Sequence, residues 1–98
     1  MKSLSPAQRQ YLKGVAHRLQ PVVMIGSQGL TPSVLNEVDR SLSAHELIKI
    51  KAASDEVGIR RAWMDEICHA TGAAPVQQIG KILLIYRTAE RPVIPLPK

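Results

Sequence analysis

Two glycines bracket a four-residue segment, Gly26-Ser27-Gln28-Gly29, that lies between an apolar run and the start of a helix. Glycine has no Cβ and adopts positive φ readily, so this segment can bring backbone N–H groups close to a phosphate. It is neither a P-loop nor a dinucleotide fingerprint, because no Gly-Lys-Ser/Thr follows and only two glycines are present. The spacing therefore predicts either a phosphate-contacting loop or a turn that carries glycine only because it is tight.

Residues that could support catalysis or bind a metal are few and scattered. His17, His45 and His69 lie far apart, and with one cysteine they match none of the usual metal-ligand spacings. Cys68 and His69 are neighbours on a predicted helix, so their side chains point about 100° apart and would not meet as nucleophile and base. We therefore predict no enzymatic activity, no cofactor and no metal site, and a structural place for Cys68 in or beside the core.

The charge distribution suits a polyanionic partner. The net charge is +5 and the pI is near 9.8. Residues 1–30 contain four basic residues and no acidic residue (+4). Residues 31–72 contain five basic and seven acidic residues (−2), and residues 73–98 contain four basic residues and one acidic residue (+3). Positive charge thus lies at both chain ends and in the segment that leads into the glycine loop. A basic face would form if those parts meet in the fold.

Several basic residues are spaced to share one side of their element. Arg9, Lys13 and His17 follow one another at intervals of four and align along one exposed side of the first helix. Lys49 and Lys51 alternate with isoleucines and project from one side of a predicted strand. Such patterns also occur on surfaces that are merely solvated, and this alternative stays open.

Apolar periodicity predicts the elements that position these residues. An amphipathic helix runs from about Pro6 to Arg18 and buries Leu12, Val15 and Leu19. The other elements are a strand over 21–25, a helix from Pro32 whose pattern breaks over 41–46, a strand over 47–52, a helix over about 54–71 ended by Gly72, and strands over 75–79 and 82–87 joined by Gly80-Lys81. The predicted fold is α/β, a compact single domain over 1–98 of order helix-strand-helix-strand-helix-strand-strand with a mixed four-stranded sheet.

Three details of this fold can be predicted further. The helix over 54–71 should bury the row Ile59, Trp63, Ile67 and Ala70. The strand over 75–79 should lie at an edge, because Pro75 cannot donate a ladder hydrogen bond. Three prolines follow Thr88, which predicts an extended and mobile tail over 88–98.

Nothing in the sequence predicts export or membrane insertion. No apolar run approaches the roughly 18 residues of a membrane span, and the N-terminus has no signal-peptide h-region. Cys68 alone cannot form an internal disulfide, which is consistent with a reducing compartment. We therefore expect a cytoplasmic protein.

Several segments, taken in order along the chain, resemble one known family. They are Pro21-Val22-Val23, Ile25-Gly26-Ser27-Gln28-Gly29-Leu30-Thr31, His45-Glu46-Leu47-Ile48-Lys49-Ile50-Lys51, Thr71-Gly72-Ala73, Gln78-Ile79-Gly80-Lys81 and the set Leu84, Tyr86 and Arg87. Together they are similar to the CRM domain, named for chloroplast RNA splicing and ribosome maturation, and most of all to its free-standing bacterial, YhbY-type members. The resemblance covers nearly the whole chain.

The resemblance implies RNA binding and, for the bacterial members, association with precursors of the large ribosomal subunit. It implies a sheet backed by helices, similar to the C-terminal domain of translation initiation factor three, and a GxxG loop comparable to that of KH domains. KH loops usually carry a basic residue between the glycines, whereas Ser27 and Gln28 are neutral. Here the charge must come from neighbouring residues.

We therefore predict a non-enzymatic, monomeric RNA-binding protein that acts in large-subunit assembly. The alternative is a protein-docking adaptor whose basic face is incidental; a small hydrolase lacks candidate residues. Salt dependence separates the first two, because phosphate contacts make log affinity fall steeply with log salt. The residues expected to contact RNA are Gly26, Ser27, Gln28, Gly29, Arg9, Lys13, Arg18, Arg40, Lys49 and Lys51.

Overall fold

The computed structural model describes residues 3–97 and contains the predicted elements in the predicted order. They are α1 (Pro6–Val15) with a 3-10 turn (Ala16–Arg18), β1 (Pro21–Ile25), α2 (Pro32–His45), β2 (Leu47–Ala52), α3 (Val57–Thr71), β3 (Ala74–Ile79) and β4 (Ile82–Tyr86). Ser5 and Thr31 cap α1 and α2, each accepting a hydrogen bond from a backbone N–H of the first turn, and a proline follows each cap. Within the described range, no helix is both long and apolar enough to cross a membrane.

The four strands form one mixed sheet in the order β1-β2-β4-β3. β1 and β2 are parallel, whereas β4 is antiparallel to both β2 and β3, so β3 lies at an edge as predicted. α2 and α3 pack on one side of the sheet over Val23, Ile48 and Ile85. α1 packs on the other side, where Leu12 and Ala16 cover Leu47 and Tyr86. The molecule therefore has three layers, with α2 and α3 on one side of the sheet and α1, its 3-10 turn and the C-terminal segment on the other.

Two predicted helix details are only partly right. The interruption over 41–46 does not end α2, which continues to His45 because Leu42 extends the buried row of Val38. On α3 the buried residues are Arg60, Met64 and Ile67, whereas Ile59 is 39% exposed and Ala70 is exposed. The helix is rotated relative to the predicted face because the Arg60 stem is buried, and its guanidinium Nη1 donates to the Ser54 carbonyl oxygen at 2.6 Å.

The C-terminal segment is held against the body by a buried carboxylate. Glu46 follows α2 with φ of 65° and is fully buried. Its Oε2 accepts a hydrogen bond from the N–H of Ala89 at 2.7 Å, and its Oε1 accepts from Val93 and Ile94 at 2.7 and 2.8 Å. Ile94 also packs against the apolar cluster under α1. The segment has no helix or strand, as expected of an extended tail, and these hydrogen bonds hold residues 89–94 against the body; its mobility stays a prediction.

Glu46→Gln should lower the free energy of unfolding by about 1–3 kcal/mol, because the new NH2 group would face a buried N–H donor where an acceptor is needed. The variant preserves side-chain size, so lost packing would not explain the change. Glu90→Gln, an exposed position in the same segment, is the matched control and should leave stability unchanged. Urea denaturation measures both variants, and equal stability of Glu46→Gln and the parent would contradict the role given to this carboxylate.

Candidate nucleic-acid interface

The predicted loop is an exposed turn between β1 and α2. The Gly29 N–H donates to the Gly26 carbonyl oxygen at 3.0 Å and closes the turn. Ser27 and Gln28 form its exposed tip. In the described hydrogen-bond network their backbone N–H groups donate to no protein acceptor. The tip therefore offers N–H groups, a hydroxyl and a side-chain amide to a ligand.

The backbone conformation of the loop favours glycine at position 29 and not at position 26. Gly29 has φ of +71°, and a Cβ there would lie 3.7 Å from the indole ring of Trp63. Gly26 is not among the residues with positive φ, and a Cβ there would meet nothing within 4 Å. The sequence-based argument from positive φ is thus confirmed at Gly29 alone. The conformation of the free protein does not require glycine at position 26.

Alanine substitutions should separate these two glycines. Gly29→Ala should cost about 1–2 kcal/mol of stability, because an L side chain is strained in the left-handed region. Gly26→Ala should leave stability unchanged or raise it by up to about 1 kcal/mol, because alanine reduces the entropy of the unfolded chain. Chemical denaturation of both variants gives the comparison. Equal losses at the two positions would mean that the turn geometry described above is wrong.

The loop shares one end of the sheet with two other connections. The Ala53 N–H donates to the Ile25 carbonyl oxygen at 3.0 Å, which brings the β2–α3 connection beside the end of β1. The Ala52 N–H donates to the Lys81 carbonyl oxygen at 2.7 Å, which brings in the β3–β4 turn. We call this the loop end of the sheet.

α1 crosses the opposite side of the sheet and spreads its basic residues over it. Arg9 lies over β3, in a shallow depression that it shares with Arg61 and Asp65 of α3. Lys13 lines a groove whose far side includes Lys49. Arg18 lies beside Val22 at the β1 edge, near the start of that strand and therefore away from the loop end. Basic residues therefore extend along α1 and its 3-10 turn. Arg18 does not lie beside the glycine loop, although it belongs to the segment that leads into it.

The lysines of β2 lie on this same side of the sheet. Their neighbours Ile48 and Ile50 are buried beneath α2 and α3, so by strand alternation Lys49 and Lys51 point toward the α1 layer. The Lys49 ammonium donates to the Leu19 carbonyl oxygen at 3.1 Å, whereas Lys51 is exposed. The predicted common side of these two lysines is confirmed.

The elements that carry these basic residues contain no acidic residue, and Asp65 of α3 borders them at the depression beside Arg9. No Asp or Glu occurs in α1, in its 3-10 turn, in any of the four strands or in the loop. The acids lie on α2, on α3 and in the remaining connections: Glu37, Asp39, Glu46, Asp55, Glu56, Asp65, Glu66 and Glu90. Among residues 3–97, neither ion pair involves the basic residues of α1, the 3-10 turn and β2, which are Arg9, Lys13, Arg18, Lys49 and Lys51. We call this surface the acid-free face.

Arg40 and two basic residues of the C-terminal part of the chain, Lys81 and Arg87, do not belong to the acid-free face. Arg40 is exposed on α2, on the same helix as Glu37 and Asp39. Lys81 and Arg87 are paired with Asp55 and Asp39 at 2.9 and 2.7 Å. A basic face made from both chain ends is therefore wrong for these two residues; Lys2 and Lys98 lie outside the described range.

Local electrostatics do not activate a nucleophile or create a metal centre in the described residues. Burial, with a smaller contribution from Asp65, raises the pKa of the Cys68 thiol to about 11, so the thiol stays protonated at neutral pH. Cys68 packs against the core, as predicted. Across 3–97, no three His, Cys, Asp or Glu side chains are grouped to hold a metal ion. Lys81 lowers the pKa of the Asp55 carboxyl through its hydrogen bond and its charge, which marks a surface ion pair.

Comparison with known proteins identifies the family. The CRS1 / YhbY (CRM) domain model matches residues 4–87. A Haemophilus influenzae protein named as an RNA-binding protein is 47% identical over 98 residues, which cover 100% of this chain and 99% of that protein. A Pseudomonas aeruginosa protein named as a probable RNA-binding protein is 42% identical over 90 residues, covering 92% and 86% of the two chains.

A solved structure agrees with this assignment. The solution structure of a hypothetical protein from Staphylococcus aureus, titled as a candidate RNA-binding protein, superposes with a TM-score of 0.85 at 29% sequence identity. The match covers 96% of this chain and 99% of that one. With the family model spanning the loop, all three helices and all four strands, this chain belongs to the CRS1/YhbY (CRM) domain family.

Proposed function

We propose that this protein binds RNA through the acid-free face and the adjoining glycine loop. The observation that carries the proposal is the charge partition: five basic residues of α1, its 3-10 turn and β2 form no ion pair within residues 3–97, and neither these elements nor the other strands contain an acidic residue. A polyanion approaching that side meets attraction along α1 and β2, whereas the α2 and α3 side presents carboxylates. The names of the relatives support RNA as the polyanion.

The loop would contribute hydrogen-bond donors and close approach instead of charge. The free N–H groups of Ser27 and Gln28 can bind phosphate oxygens, and α2 begins at Pro32 with its positive dipole end toward the same region. Gly26 leaves open space around its α-carbon, so a sugar-phosphate chain can come within contact distance. The cations that hold the RNA there would be Lys13 and Lys51 on the adjoining face.

We propose further that the RNA is that of large-subunit precursors, bound in the cytoplasm by a monomer during ribosome assembly, and that the protein acts by binding alone. This rests on the resemblance to the free-standing bacterial members of the family. The raised pKa of Cys68 supports the absence of a nucleophilic role for this thiol.

Crosslinking the protein to RNA in growing cells, followed by sequencing of the bound fragments, tests the proposed partner. We expect fragments of precursor large-subunit ribosomal RNA, enriched over mature ribosomes and over small-subunit RNA. Enrichment of other RNA classes would overturn the assembly role while leaving RNA binding intact. Recovery of no RNA above the background of an uncrosslinked sample would overturn the proposal itself.

A further inference from the structure

One row of side chains crosses the entire sheet on the acid-free face. The strand registers pair Met24 with Lys51, Lys51 with Ile82, and Ile82 with Ile79, so each strand contributes one residue. Met24 and Lys51 alternate with buried residues of the α2 and α3 side, and Ile82 and Ile79 line the groove beside α1. We call Met24, Lys51, Ile82 and Ile79 the open row.

α1 leaves the two ends of the open row exposed, whereas Ile82 is half-buried in the groove beside the helix. The helix packs over the opposite end of this side of the sheet, where Leu47 and Tyr86 are buried. Met24 is 60% exposed and Ile79 is 61% exposed, although both are large apolar side chains on strands. The row ends at the loop, since Met24 is two residues before Gly26. Strands lie about 4.8 Å apart, so the row spans about 14 Å.

A groove joins the open row to α1. It encloses about 340 Å³, its floor is formed by Ile82 and Leu84, and Lys13 and Lys49 lie at its walls. Gln10 of α1 and Gln77 of β3 also line it and contribute amide donors and acceptors. The groove thus combines an apolar floor with cations and two neutral amides, and neither it nor the open row contains a carboxylate.

An apolar surface framed by lysines selects among nucleic acids. The faces of duplex bases are stacked on each other and unavailable, so an A-form helix would offer this surface only phosphates and 2′-hydroxyls. Unpaired nucleotides offer an apolar base face and a phosphate within one unit. Four-stranded sheets of other RNA-binding domains stack two or three such bases on aromatic side chains, whereas the open row offers the aliphatic side chains of methionine and isoleucine. A row of about 14 Å has room for a similar number.

We propose that the open row binds unpaired nucleotides, so that this protein selects single-stranded RNA over duplex RNA. The bases would pack on Met24, Ile82 and Ile79, and the phosphates would lie toward Lys51 and Lys13. Gln10 and Gln77 would hydrogen-bond base edges in the groove. This inference rests on the proposed RNA binding and adds the class of RNA that the site accepts.

The test compares one single-stranded oligonucleotide with a hairpin of equal length, titrated against the parent protein, against Met24→Gln/Ile79→Thr and against Val57→Thr. The double variant keeps charge, and threonine keeps the β-branched shape suited to a strand. Val57→Thr is the matched control, because Val57 is 65% exposed at the start of α3 on the other side of the sheet. Melting curves verify that all three proteins are folded at the titration temperature.

We expect the parent and the control to bind the single strand more tightly than the hairpin. The double variant should lose about five- to tenfold in single-strand affinity, which is at the low end of the loss caused by removing one aromatic side chain that stacks on a base. The salt slope should not change, because no phosphate contact is removed. A parent that binds neither RNA would overturn the proposed function. Two outcomes would overturn the open-row inference alone: a parent that binds RNA but prefers the hairpin, and a double variant with the affinity of the parent. In either case this exposed surface would be available to a protein partner instead.

Discussion

Replacing Ser27 and Gln28 together with aspartate should abolish RNA binding. The two carboxylates would lie at the exposed tip of the turn, where the structure provides N–H donors for phosphate. Among residues 3–97, no Lys or Arg side chain forms an ion pair at the loop. Like charges facing each other in an interface cost several kcal/mol, so the affinity should fall on the order of a hundredfold or more. Both side chains are exposed, so the fold should be unaffected.

The opposite substitution provides the control for this prediction. Ser27→Lys/Gln28→Lys supplies the charge that KH loops usually carry there, and it should strengthen binding to many RNAs without adding sequence preference, since phosphate contacts carry no base information. Trp63 of α3, the only tryptophan, lies beside Gly29, so its fluorescence should report on binding at the loop. Equal affinities of the aspartate, lysine and parent proteins, with unchanged melting curves, would mean that the loop is only a tight turn.

Reversing two charges on the acid-free face should have the second-largest effect. Lys13→Glu/Lys51→Glu removes one cation from α1 and one from β2, neither of which forms an ion pair within the described residues. If each lysine neutralises one phosphate of a single strand, the salt slope should become shallower by about 1.4, from about 0.7 per phosphate. Affinity at low salt should fall about a hundredfold, by similar factors for RNAs of unrelated sequence.

Two further charge reversals define the limits of the interface. Arg91→Glu lowers the net charge by two, half the change made by the double variant, at an exposed position of the C-terminal segment and should leave the slope unchanged. Arg40→Glu asks whether α2 takes part, and we expect a smaller effect than at Lys13 because Arg40 shares its helix with Glu37 and Asp39. A parent protein whose affinity does not depend on salt would favour the protein-docking adaptor instead.

The order of the elements followed from the sequence because each carries its own local signal. These signals are the Ser or Thr caps followed by proline, the alternation of Lys49 and Lys51 with isoleucines, and the Gly80-Lys81 turn. Each depends only on residues that are close in the sequence. The end of α2 did not follow in the same way. It is set by Glu46, whose positive φ and buried carboxylate make sense only with Ala89 and Ile94 in place.

The charged surface was only half predictable for a related reason. Summing charge along the chain gave −2 for 31–72, so the two lysines of β2, which strand alternation placed on one side, did not count toward the predicted basic face. Once the sheet separates the layers, those lysines join α1, whereas the acids of α2 and α3 belong to the other layer. A count by predicted element instead of by segment would have found the acid-free strands. The contact of Trp63 with the loop depends on tertiary packing and left no local signal.

The central claim is that RNA lies on the acid-free face and at the glycine loop. NMR titration of the isotopically labelled protein with a single-stranded fragment of large-subunit ribosomal RNA tests it most directly, because each backbone amide reports separately. We predict that the largest shift changes occur at Ser27 and Gln28, along α1 and at Lys51, with little change on the outer surfaces of α2 and α3. Changes concentrated on α2 and α3, with the loop and α1 unaffected, would contradict the account.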